Sequence, residues 1–110
     1  MTRLLGTTMS YLEHESIYRG LASQFLQKAI SADDFVTQYF ARWKTDRDVQ
    51  WNRLQAGQRV TPEELALSAI LDPIFTACDA FESRPQTEFE IDEEQLTQEV
   101  RTHARRRWAL

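Results

Sequence analysis

The sequence predicts an all-α fold, an antiparallel four-helix bundle, on three observations. Apolar residues recur at spacings of three and four in four separate segments. Three of those segments open on a recognisable helix cap, and no stretch alternates with period two for long enough to make a sheet. The links between segments are short or moderate, which favours antiparallel neighbours.

The first helix is expected from about Ser10 to Ala29, with Ile17, Leu21, Phe25 and Leu26 on its inward face and Gly20 tolerated inside it. Residues Met1 to Thr8 carry no period and are expected to fray. Ser31 then offers a hydroxyl to the orphan amides of a second helix, with Asp33 and Asp34 in the first turn, where the helix dipole favours negative charge. Its buried face reads Phe35, Tyr39, Phe40 and Trp43. From residue 45 to 61 the pattern weakens, so that stretch reads as a loop or a short helical turn, with a break at Ala56-Gly57-Gln58.

Thr61-Pro62-Glu63-Glu64 is a capping box with proline at the first helical position, where its missing amide does no harm. The third helix so begun presents Leu65, Ala69, Ile70, Leu71, Ile74, Phe75, Cys78 and Phe81 inward. Pro73 is expected to kink it or to restart it at Asp72. A polar link from Ser83 to Glu90 leads to a second capping box at Asp92 and Gln95, and Leu96, Val100 and Ala104 form the inner stripe of the fourth helix.

Composition narrows the function. At 110 residues and 42% hydrophobic, the chain suits one domain with its own core. A single cysteine, Cys78, excludes an internal disulfide and fits a reducing, cytoplasmic setting. No apolar run nears the roughly 20 residues that cross a bilayer, so no membrane role is expected. A formal charge of −4 argues against direct binding of nucleic acid, whose affinity comes from basic side chains. Arg101, Arg105, Arg106 and Arg107 are read as offsetting the dipole at the end of the last helix.

Catalytic and metal chemistry find little support. His14 and His103 are far apart, neither has ligand spacing, and no serine or cysteine sits in a nucleophile motif, so neither an enzyme nor a cofactor is expected. His103 is read as a boundary residue paired with Glu99, Cys78 as a small buried hydrophobe, and Trp51 as an exposed aromatic worth following. The one-sided feature is acid. Asp79, Glu82, Glu88, Glu90, Asp92, Glu93 and Glu94 lie within 16 residues, relieved only by Arg84. Asp72 and Asp79, seven apart, share one helical line. Asp92 is expected to spend its oxygen on a cap; the others are available to a basic partner.

Five blocks also carry a resemblance: Leu21-Ala22-Ser23-Gln24-Phe25-Leu26, Ile30-Ser31-Ala32-Asp33-Asp34-Phe35, Ile70-Leu71-Asp72, Asp79-Ala80-Phe81-Glu82, and Phe89-Glu90-Ile91-Asp92-Glu93 running on to Leu96, Val100 and Arg101. In spacing and order the chain resembles the immunity proteins of the colicin D type, which also occur beside toxins of contact-dependent growth inhibition. The resemblance implies a four-helix, non-enzymatic monomer. Such a protein binds one-to-one the nuclease domain of a co-produced toxin, a tRNA-cleaving domain in the colicin D type, with acids standing where RNA phosphates would bind. It places the toxin-facing role on Asp79 and Glu82, then on Asp72, Glu88, Glu90 and Glu93. The competing expectations are a small helical adaptor or regulatory subunit without a toxin partner and, more remotely, an enzyme working through Asp79 and Glu82.

Overall fold

In the computed structural model, which describes residues 10–110, the chain is all-α, as expected. Among the described residues there are five helices and no strand: α1 (Ser10–Glu13), α2 (Glu15–Leu26), α3 (Ala32–Gln55), α4 (Pro62–Ala80) and α5 (Glu93–Ala104). Helix α2 packs on α3, α3 on α4, α4 on α5 and α5 back on α2, and the single turn of α1 rests on α3 and α4. The expected fraying of Met1 to Thr8 lies outside the described residues. No helix among the described residues is long and apolar enough to cross a membrane.

Each boundary has a local cause. Ser31 Oγ accepts the Asp34 amide at 3.0 Å and starts α3. Thr61 and Glu64 exchange side-chain and backbone bonds to start α4, and Asp92 and Gln95 do the same for α5. Lys28 follows α2 at φ 62°, and the Ala29 amide reaches back to the Gln24 carbonyl at 2.8 Å. This is a left-handed cap of the kind usually built on glycine. Gly57, at φ 87°, closes α3 in the same way, with the Gln58 amide on the Arg53 carbonyl.

Three expectations about where the helices run need correction. The single first helix is broken at His14, and its buried face is Tyr18, Leu21, Ala22 and Phe25, leaving Ile17 largely outside. The expected loop at 45–61 is helix as far as Gln55, so only residues 56–61 link α3 to α4. Its alternating charges hid the pattern because α3 buries carboxylate and guanidinium groups there instead of hydrocarbon. Helix α4 runs unbroken through Pro73 to Ala80, so the restart at Asp72 does not occur. The carbonyl that proline deprives of its donor belongs to Ala69, expected inward but exposed, so the lost bond falls on the outer side of the helix, where it costs least.

The core follows from the helical phases. Phe25 stacks on Phe35 with ring centroids 4.6 Å apart, and Tyr18 meets Tyr39 edge-on at 5.3 Å, joining α2 to α3. The Tyr39 hydroxyl donates to the Leu71 carbonyl at 2.7 Å and ties α3 to α4. Leu67, Leu71, Ile74, Leu96 and Val100 are fully buried between α4 and α5. On α4 the inward position of the first turn falls to Glu64 rather than Leu65, which is 60% exposed. The cause is the length of α3, whose Arg53 lies over that turn and donates to both Glu64 oxygens. Burial opposes ionisation of Glu64, but the Arg53 hydrogen bonds, the Thr61 amide and the Arg53 charge outweigh it and hold its pKa below the usual value.

Candidate functional site

The acids singled out in the sequence occupy α4, the link after it and the first turn of α5. Asp72 and Asp79 both point outward from α4, about 10 Å apart along the axis. Asp72 accepts a hydrogen bond from Trp43 Nε1 at 3.2 Å, and partial burial raises its pKa against the lowering effect of that bond. Cys78, just before Asp79, is buried as expected, and burial followed by the Asp79 charge pushes its thiol up to about 12. Such a thiol stays protonated at neutral pH, and the thiolate is the nucleophilic form.

Helix α4 ends where Phe81 turns extended, and there the backbone closes on itself. Phe81 and Ile91 form an isolated parallel β-bridge in which the Glu82 amide donates to the Ile91 carbonyl and the Ile91 amide to the Ala80 carbonyl, each at 2.9 Å. Residues 82–90 are thereby a closed loop whose ends are clasped. Inside it Glu90 Oε1 accepts the Gln86 amide at 2.6 Å and the Thr87 amide at 3.1 Å, and Thr87 Oγ1 accepts the Phe89 amide at 3.3 Å. Glu82 and Glu88 remain exposed, and Phe89 between Glu88 and Glu90 is 81% exposed.

The clasp brings the Glu82 backbone next to Ile91, so Asp79 at the end of α4, Glu82 and Glu90 at the two ends of the loop and Glu88 within it all belong to the junction of α4, loop and α5, with the Glu90 carboxylate turned onto the loop's own amides. Asp92 serves as the cap expected of it, accepting the Gln95 amide at 2.9 Å. Two of the acids diverge. Asp72 lies two turns back against α3, and Glu93 faces the turn between α2 and α3, where it borders a shallow groove of about 390 Å³ with Lys28 and Arg101. Among the described residues, the ion pairs join His14 and Arg42 to Asp46, Arg47 to Asp48, Arg53 to Glu64 and Arg107 to Glu15. None of them neutralises an acid between Asp72 and Glu94.

The polar centre that sequence reading missed is Asp46, a fully buried carboxylate on α3. It receives the Tyr18 hydroxyl at 2.7 Å, His14 Nδ1 at 2.8 Å, and Arg42 Nε and Nη2 at 3.2 and 3.0 Å. Both oxygens are satisfied, so the cluster fixes the break between α1 and α2 on α3. The signal is present in two spacings of four, His14 with Tyr18 and Arg42 with Asp46, but it is carried by polar residues, and Asp46 falls in the 45–61 stretch whose apolar pattern is weak. Trp51 accordingly sits on α3, 60% exposed. His103 bonds Arg106 at 3.3 Å rather than Glu99. Arg107, expected only to offset a helix dipole, instead grips Glu15 together with Trp108 Nε1. Among the described residues no group of His, Cys, Asp or Glu side chains could hold a metal ion.

Compared with known proteins, residues 15–106 match a family model described as bacterial self-protective colicin-like immunity. No curated protein and no solved structure matches significantly.

Proposed function

Because the chain belongs to the bacterial self-protective colicin-like immunity family, whose members counter toxins and are generally non-enzymatic, we propose that it binds the nuclease domain of a cognate toxin one-to-one and covers its basic active-site cleft. The target in this reading is a tRNA-cleaving domain, met inside the cytoplasm. The observation that carries the proposal is the group of outward carboxylates at the α4–loop–α5 junction, which no internal cation neutralises among the described residues.

Such a surface suits a site built to hold phosphates. Asp79, Glu82 and Glu88 occupy places of tRNA phosphate charge, with Asp72 and Glu93 at the margins, and Glu90 holding the loop. Their summed field steers the encounter and speeds association more than it sets the final affinity. Replacing Asp79 by Asn and Glu82 by Gln tests this against the catalytically inactivated C-terminal domain of the toxin encoded beside this gene. The expected result is unchanged helix content with a slower, less salt-sensitive association. Unchanged binding at low salt would remove these carboxylates from the mechanism.

A further inference from the structure

The 82–90 loop holds a second feature that charge alone does not explain. Phe89 is the most exposed of the large hydrophobic side chains among the described residues, at 81%, yet its backbone is held in place. The loop ends are joined by the Phe81–Ile91 bridge, its middle is tied by Glu90 to two amides, and the Phe89 amide itself donates to Thr87 Oγ1. An apolar ring fixed outward on an ordered loop loses little conformational freedom when a partner covers it. The acids of the same loop, Glu82 at its start and Glu88 next to Phe89 in the chain, are exposed and outside every ion pair among the described residues.

We propose that Phe89 is the anchor of the toxin interface, entering an apolar pocket on the toxin domain bordered by lysine or arginine side chains, and that Glu90 is a positioning residue that presents it. This rests on the immunity reading and adds to it the division of labour at the site. The flanking carboxylates govern how fast the partner arrives, and the ring governs how long it stays. An aromatic centre ringed by polar side chains is the usual arrangement of an interface hot spot. The basic border follows from charge complementarity with Glu82 and Glu88.

The test uses the full chain and the inactivated C-terminal domain of the adjacent toxin in a surface binding assay. Phe89→Ala is expected to raise the dissociation rate about 30-fold or more, the scale of a truncated aromatic anchor, with the association rate and its salt dependence kept. Glu90→Ala is expected to weaken binding, and Glu90→Gln to restore it, because an amide oxygen accepts the same two backbone bonds without the charge. Wild-type kinetics for Phe89→Ala would overturn the inference while leaving the immunity reading intact. Loss in Glu90→Gln equal to that in Glu90→Ala would overturn the positioning role. Failure of the unaltered chain to bind the toxin domain would overturn the immunity reading, and this inference with it.

Discussion

Replacing Asp46 by Ala tests how the break between α1 and α2 is held on α3. Its carboxylate is fully buried and takes four hydrogen bonds from Tyr18, His14 and Arg42. Deletion does not strand the donors equally. The His14 and Arg42 side chains are each about a quarter exposed, so they turn to water and lose about 0.5–1 kcal/mol apiece. The Tyr18 hydroxyl has no such exit, and an unsatisfied buried donor costs about 1–3 kcal/mol. The sum is about 3 kcal/mol, at the lower end of what breaking a buried charge pair costs, and a large fraction of the stability of a small domain. Urea unfolding at pH 7, followed by far-ultraviolet circular dichroism, measures it. The same apportioning says that Tyr18→Phe costs about 1 kcal/mol alone and that the double variant is more stable than the sum of the single losses by about 1 kcal/mol or more. An Asp46→Ala loss below about 1 kcal/mol, or strict additivity with Tyr18→Phe, would refute the account of Asp46 as the hub.

Acid should unfold the protein through Glu15 and Glu64. Arg107 lowers the pKa of Glu15 against burial, and Glu64 is lowered as described, so both contribute stability present above the unfolded carboxylate pKa of about 4.3 and lost as pH falls through their folded values. Asp72, raised by burial, has the opposite sign, its contribution being lost as pH rises. Glu64→Gln is therefore expected to flatten the fall of the urea midpoint below about pH 4.3; an unchanged slope would count against the Arg53–Glu64 pair. Lys28→Gly should stabilise by about 0.5–1 kcal/mol, because the left-handed φ of 62° strains any side chain with a Cβ. Calorimetry would see the midpoint rise by a few degrees, and a fall would show that Lys28 is held there by contacts that outweigh the strain. Cys78 should react with an aromatic disulfide reagent only as fast as the protein opens, its burial having pushed the thiol up to about 12; prompt reaction in the native state would contradict its burial.

The legible and illegible parts of the fold separate by the kind of interaction involved. Caps are local, so Ser31, Thr61 with Glu64, and Asp92 with Gln95 could be read directly and stand as expected. The stripe Leu96, Val100, Ala104 is buried because hydrocarbon at helical spacing has one meaning. Reading failed where burial is polar. Asp46, Arg53 and Glu64 lie inside or at the edge of the core through partners 11 to 32 residues away, and a pattern that counts only apolar residues takes such a segment for a loop. The same blindness set Ile17 inward in place of Tyr18, whose hydroxyl is satisfied by Asp46. For the candidate site, the acids were visible as a run in the sequence. Their convergence at one end of the bundle could be expected, but which of them stay together could not, since the Phe81–Ile91 bridge, the inward turn of Glu90 and the divergence of Asp72 and Glu93 depend on how the chain closes between α4 and α5.

That closure also separates two demands that usually compete within a small domain. Residues 83–89 are exposed and sit beyond the backbone clasp, so exchanging one for another changes the outward surface while the core formed by Leu71, Ile74, Leu96 and Val100 keeps its shape. If this loop meets the toxin as proposed, the protein can follow a changing adversary by rewriting that surface without renegotiating its stability.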